Sequence, residues 1–318
     1  MENRPMPSQT QIRDEVTAKI VAALESDLLP WRRPWRSPSG SQPARHSNIA
    51  SRKAYQGVNP LLLELHALRL GLTSRWWATF NQWHDLGCTI RKRPQDVEEG
   101  CWGCRLVFWK PLTRTITDSE TGEEEEDERF FVLKTFTVFC ADQVEGAEVF
   151  QVQENDGQTD AQPDFAPAEE LIAATQADIR YGGDRAYYRR PTPDGSFPNH
   201  REGDFIVLPP RTTFAPPAAF FETATHELAH WTEPRIGFNG TYALGELVAE
   251  VASCYVAAEL GIPQGEGLGN HAAYVRHWLD AMRGDRNYIF KAAKQASKAT
   301  DFLLGFVRKP EPEAAATG

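Results

Sequence analysis

His226-Glu227-Leu228-Ala229-His230 carries the chemistry most easily read from this chain. Two histidines four apart on a helix lie on one face, one turn above each other. Both imidazoles can then reach a single metal ion. The glutamate that follows the first histidine stands where it can hold a water beside that ion and take its proton. The pattern arises by chance on the order of once in a hundred chains of this length. The alternative is a helix with two surface histidines on a polar face, and the surrounding sequence argues against it.

Pro216-Pro217 before Ala218-Ala219-Phe220-Phe221 is a helix entry, and Pro234 marks the stop. A third ligand is expected from the next helix. Thr241 to Ala252 has helical spacing, with Leu247, Val251 and Cys254 on one stripe, so Glu246 and Glu250 share a face. Two stacked carboxylates on an apolar helix are costly to bury without a cation or donors. We read Glu246 as the third ligand and Glu250 as the acceptor that orients a histidine N–H. The reverse assignment stays open at this point.

The chain has 318 residues, enough for two domains. No apolar run is long enough to span a bilayer, and the N-terminus lacks a signal-peptide core. Five cysteines do not make a disulfide framework, so a cytoplasmic setting is expected. Cys101-Trp102-Gly103-Cys104, with His84 and Cys88 nearby, is weak as a zinc site without a second pair. It reads better as the start of a strand.

The net charge of −10 hides an asymmetry. Residues 1–114 hold 17 Lys and Arg against 10 Asp and Glu, a net of +7; the remainder holds 17 against 34, a net of −17. Seven of the nine tryptophans fall in the basic part. Arginines interleave with them in Trp31-Arg32-Arg33-Pro34-Trp35-Arg36 and Arg75-Trp76-Trp77, and Arg91-Lys92-Arg93 is a further basic run. Cations beside aromatic faces suit single-stranded nucleic acid, with phosphates on the cations and bases stacked on the rings. The expectation is single strands over duplex, with Arg32, Arg33, Arg36, Arg91, Lys92 and Arg93 on phosphates and bases on some of Trp31, Trp35, Trp76 and Trp77. Core packing is the usual fate of tryptophan and competes with that reading.

These sites need elements to position them. Ile12, Val16, Ile20, Ala23 and Leu24 mark a first helix, Leu61 to Leu70 a second, and Trp76 to Leu86 a third. Strands are expected at 103–110 and 129–140, joined through the acidic tract 118–128 as a solvated hairpin tip. Residues 146–166 are polar and aperiodic and read as a linker between domains 1–145 and 167–318. In the second domain a helix opens at Pro167. Short strands follow near 179–181, 186–188 and 204–208, and helices close the chain at 272–282 and 288–306. If the strand at 204–208 is an edge beside the cleft, an extended peptide can pair with it. The fold class is α+β, in two domains.

The chain resembles the ArdC-type plasmid antirestriction proteins, whose sequence also forms the N-terminal part of TraC-like conjugative primases. In the first domain the resemblance rests on Trp31, Pro34-Trp35, Asn48, Tyr55, Gly57, Asn59, Trp77, Thr79-Phe80, Gln82, Gly87, Arg91, Phe139 to Gln143 and Gly146. In the second it rests on Gly182-Gly183-Asp184, Ala186, Tyr188, Asp204, Ile206, Pro209-Pro210, His226 to Thr232, Tyr242-Ala243, Glu246-Leu247, Ala249-Glu250, His271-Ala272, Tyr274 and Trp278-Leu279. It implies a single-stranded-DNA-binding domain followed by a zincin-like metallopeptidase domain, and protection of incoming conjugative DNA from host restriction. The cofactor it implies is Zn2+, with Mn2+ as the other divalent candidate, and a restriction-system component is a candidate protein substrate. Tyr242, His271 and Tyr274 are candidates for stabilising an oxyanion, by residue type and resemblance. The sequence departs from the family in a shorter segment between Trp231 and Tyr242, and in an acidic pair reduced to Gly245-Glu246. A DNA-shielding protein with a structural metal is the competing function. A nucleic-acid-independent peptidase is a third.

Overall fold

The structure is a computed structural model, and it describes residues 7–32, 42–117, 124–152, 164–191, 203–264 and 272–308; side chains at 114–117, 124–129, 272 and 273 are not described. Contacts divide the chain into two units. The first comprises residues 1–30, 41–153 and 282–287, and the second 31–40, 154–281 and 288–318. The change of unit thus falls at 153/154, inside the expected linker, and Trp31 and Arg32 belong to the second unit.

The first unit opens with α1 (Gln9–Glu25), started by a capping box between Ser8 and Gln11 and burying Ile12, Val16, Ile20, Ala23 and Leu24. α2 (Asn59–Leu70) has Pro60 in its first turn and ends on Gly71 at φ 64°, a left-handed cap that favours glycine. The third expected helix is instead a strand followed by a helix. β2 (Trp76–Ala78) gives way to α3 (Phe80–Asp85), because Thr79 and Gln82 form a capping box that starts the helix there. Between α1 and α2 lies β1 (Ser47–Asn48). The long hairpin of β4 (Cys104–Thr117) and β5 (Glu124–Cys140) completes a sheet in the order β1-β2-β5-β4. A separate pair joins β3 (Thr89–Ile90) to β6 (Val144–Glu145). Behind the sheet the Trp77 indole N–H donates to His46 Nδ1 at 2.9 Å, and His46 Nε2 meets Glu64 Oε2 at 2.9 Å. A buried carboxylate and imidazole are thereby satisfied.

The second unit begins with α4 (Ala166–Thr175) and a sheet of β7 (Asp178–Tyr181), β8 (Tyr187–Arg189) and β9 (Phe205–Leu208). The order is β7-β9-β8, so β9 is central and cannot accept a further strand; β8 is an edge. The condition for peptide pairing at 204–208, that this strand be an edge, is therefore not met. Ile206 and Leu208 point into a core shared with Phe220, Leu228, Trp231 and Val256. α5 (Ala218–Thr232) and α6 (Tyr242–Leu260) supply those last residues, followed by α7 (Ala272–Gly284) and α8 (Tyr288–Leu304). α6 is buried without a break from Gly245 to Ala257, the pattern of a central helix. Its two acids are therefore interior groups that need partners. Among the described residues no helix is long and apolar enough to cross a membrane.

Candidate metal centre and nucleic-acid residues

α5 brings His226 and His230 together with ring centroids 4.9 Å apart, the one-turn stacking expected of i, i+4 positions. α6 aims Glu246 between them. Its Oε2 lies 3.6 Å from His226 Nε2 and its Oε1 3.5 Å from His230 Nε2. The ligand atoms of His226, His230 and Glu246 all lie within 4.8 Å of one another. Two imidazole nitrogens and a carboxylate oxygen gathered this closely are a donor set that would suit a divalent cation.

The outward nitrogens face carboxylates as well. His230 Nδ1 bonds Glu233 Oε1 at 2.8 Å, and His226 Nδ1 lies 3.8 Å from Glu250 Oε2. The Glu233 bond holds His230 with its Nε2 toward Glu246, where it could ligate a cation; at 3.8 Å Glu250 makes no hydrogen bond to His226. The geometry therefore favours Glu246 over Glu250 as the third ligand. Glu233 was not anticipated from sequence. It stands three residues after His230, beyond the last residue of α5, and Arg190 Nη1 reaches its other oxygen at 3.6 Å.

Burial alone would raise the pKa of Glu246, but bonds from His226 and His230 hold it well below the usual carboxylate range. His230 shows the converse. Burial would lower it, and the bonds to Glu233 and Glu246 outweigh that and hold it up, at about 10. Glu227 is raised by burial, against the opposing pull of both histidines. Tyr187 and Tyr188 of β8 line the same cleft.

These groups line a cleft of about 1070 Å³. Tyr242 stands at its rim, 71% exposed, with its hydroxyl 3.1 Å from that of Tyr274. Its phenol is raised by the Tyr274 bond first, then by burial and by its bond to Glu246. Tyr274 stacks on Trp278, whose indole donates to the Ala243 carbonyl at 3.1 Å, and so ties this wall to the start of α6. His271 lies outside the described residues.

The expected nucleic-acid residues fare unevenly. Trp31 is buried in the second unit, edge-on to Trp278, and Trp76 and Trp77 are buried in the first. None presents an open face to a base, which corrects the stacking expectation for all three. Trp77 sits in a covered strand with its N–H committed to His46, and Trp76 is roofed by the Arg52 guanidinium at 4.9 Å. Arg32 lines the metal cleft 3.5 Å from Glu222. Arg33, Trp35 and Arg36 lie outside the described residues. Arg91, Lys92 and Arg93 are exposed. The CxxC is no cluster: Cys104 is buried and donates to the Leu62 carbonyl, and it starts β4.

Comparison with known proteins agrees with this layout. Residues 10–139 match the N-terminal domain of the anti-restriction factor ArdC, and residues 166–295 match a zincin-like metallopeptidase domain. The metal-free crystal structure of ArdC from the R388 plasmid is similar at 33% identity and TM-score 0.68, over 92% of this chain and 97% of that one. The Mn(II)-bound structure is similar at 31% identity and TM-score 0.66, over 94% and 99%. An uncharacterised Sinorhizobium fredii protein, y4eC, is 31% identical over 95% of this chain and 94% of its own. An Escherichia coli DNA primase, TraC, is 30% identical over 97% of this chain, which spans only 21% of that primase. With both domain matches in order and full-length similarity to ArdC, the chain belongs to the ArdC antirestriction family and carries a zincin-like domain.

Proposed function

We propose that this chain binds single-stranded DNA through its first unit and carries a zinc-peptidase-type site in its second, and that it protects incoming conjugative DNA from host restriction. The observation that carries the proposal is the convergence of His226 Nε2, His230 Nε2 and Glu246 within 4.8 Å beside the buried Glu227. His226, His230 and Glu246 would hold the cation, and a set of two imidazoles and one carboxylate suits zinc. When bound, the cation polarises a carbonyl and acidifies water.

The remaining steps belong to the protein. Glu227, with its proton affinity raised by burial, accepts a proton from water and returns it to the leaving amine. Tyr242 stays protonated and supplies an O–H to a developing oxyanion at the rim. β8, as an edge strand, offers backbone groups to an extended peptide. A restriction-system protein is the substrate class we assign.

Metal analysis of the purified chain against the His226→Ala/His230→Ala variant tests the centre; equal metal in both would end the proposal. Glu227→Gln tests the use of the site. It keeps the ligands and removes the base. Loss of protection with that variant supports proteolysis, whereas full protection assigns the role to DNA shielding.

A further inference from the structure

Four large aromatic side chains stand exposed on one stretch of the first unit: Phe108 (41%), Trp109 (47%), Phe130 (42%) and Phe131 (60%). All lie on the β4–β5 hairpin, and the reason they are open is geometric. Asn59 at the start of α2 clamps both backbone groups of Val107, at 2.9 and 3.0 Å. Gln9 at the start of α1 accepts from the Leu133 N–H at 3.1 Å. The helices begin at that level. Beyond it the hairpin continues as a two-stranded ribbon, so consecutive residues, which point to opposite faces, are both exposed.

Cations accompany the rings. Lys134 pairs directly across from Phe108, Lys110 stands two residues further along the same face, and Phe130 pairs across from Leu112. On the other face the Arg13 guanidinium sits 5.2 Å from the Trp109 ring centroid. Residues 104–113 and 130–137 contain Arg105, Lys110 and Lys134 and no acid. A protein-binding apolar patch needs no lysine between its rings; alternating rings and lysines match bases and phosphates.

We infer that the outer β4–β5 ribbon, through Phe108, Trp109, Lys110, Phe130, Phe131 and Lys134, is the single-stranded nucleic-acid contact of this protein. The inference rests on the reading of the first unit as a DNA-binding domain and assigns that binding to a surface. Phe108 and Phe130 are four residues apart along the ribbon, about 13 Å at ~3.3 Å per residue. Stacked bases are separated by only ~3.4 Å. Each ring therefore takes a base from a stretched strand, and a duplex, whose base faces are already covered, cannot supply one. Outward of Arg114 and Arg129, residues 124–128 are all acidic in sequence and repel phosphates. The footprint is accordingly short, about two to three bases, with a shallow salt dependence of about two phosphates.

The test uses the full chain and a fluorescent oligothymidine of about 20 nucleotides, long enough to exceed one such footprint. Phe130→Ala/Phe131→Ala and Lys110→Glu/Lys134→Glu are compared with the parent by anisotropy at two salt concentrations. Photocrosslinking of a halogenated oligonucleotide to the parent chain maps the contact by mass spectrometry. Expected are a loss of about tenfold or more in both variants, unchanged melting, and crosslinks on the named aromatics. If the aromatic pair disturbs folding, the lysine reversal and the crosslink map decide. Parent binding with both variants within about twofold, crosslinks confined elsewhere, or equal competition by duplex would overturn the ribbon while leaving the domain reading intact. An absence of binding by the parent chain would overturn the domain reading, and the ribbon with it.

Discussion

Glu233 and Gly245 form an interlock whose removal has a calculable effect on the metal centre. Glu233 Oε1 accepts from His230 Nδ1 at 2.8 Å, and a Cβ built on Gly245 would lie 2.9 Å from that same oxygen. Ordinary contact begins at 3.4 Å, so a side chain at 245 obliges the carboxylate to move by about 0.5 Å. A 2.8 Å charge-assisted bond lengthened by that much, to about 3.3 Å, passes the usual outer limit of ~3.2 Å and loses much of its strength. Glu233→Ala removes the acceptor outright. Loss of a carboxylate that orients a metal-binding histidine typically costs 10- to 100-fold in metal affinity, about 1.4–2.8 kcal/mol. Gly245→Ala should give a smaller, severalfold loss. Its effect on folding runs the other way: alanine is about 1 kcal/mol better than glycine in a helix interior, and the displaced atom is the end of a flexible side chain. The variant should thus melt no lower than the parent while holding metal less well.

A competition assay with a metal indicator, on the parent, both single variants and the double variant, checks this. Once Glu233 is alanine there is no oxygen to displace, so Gly245→Ala should add nothing to its loss of affinity. If Gly245→Ala weakens metal binding equally in both backgrounds, or if Glu233→Ala leaves affinity unchanged, the interlock is wrong. The same geometry accounts for a departure noted in the sequence. The family resemblance leads one to expect an acid before Glu246, and here Gly245 stands there. A side chain at 245 would occupy the place of the Glu233 carboxylate, so the glycine keeps that place clear.

Further outcomes follow from other groups. Glu227→Gln should retain the full metal content and lower peptide hydrolysis by about 10²- to 10⁴-fold, the usual share of a general base; activity within tenfold of the parent would remove Glu227 from that role. Tyr242→Phe should lower the turnover number more than it changes KM, because an oxyanion partner acts in the transition state; a change confined to KM would make it a binding residue. His66 governs a pH effect in the first unit. Its pKa falls from the ordinary 6.5 to about 4, chiefly by burial, although its bond to the Trp102 carbonyl opposes that. A depressed imidazole is neutral in the fold and charged when unfolded, so its contribution is complete above pH 6.5 and is lost as pH falls toward 4. Between about pH 7 and pH 5 the loss is at most about 2 kcal/mol, less for residual solvent access. Urea unfolding of the parent and of His66→Gln at both pH values checks it; parallel declines would acquit His66.

What the sequence revealed and what it hid divide along physical lines. The two histidines and Glu246 were legible because they sit inside long helices, where one spacing rule fixes the face. Glu233 was hidden by the same rule. Pro234 reads as the end of the helix, yet Glu233 keeps helical backbone angles, φ −48° and ψ −55°, so the i, i+3 relation to His230 survives one residue past the last assigned turn. The aromatics were misjudged for a different reason. Adjacent residues on a strand point to opposite faces, so a pair such as Trp76-Trp77 is fully buried only where the sheet is covered on both sides, and β2 lies between β1 and β5 in such a place. Phe108-Trp109 has the same local pattern and the opposite fate, because the helices begin at the level of Val107 and Leu133. Local sequence sets the alternation; the extent of the covering layer decides which alternating pairs see solvent, and that extent is a property of distant residues such as Asn59 and Gln9. Composition drew attention to arginine-flanked tryptophans, whereas among the described residues the covering layer buries Trp31, Trp76 and Trp77 and leaves Phe108, Trp109, Phe130 and Phe131 open to solvent.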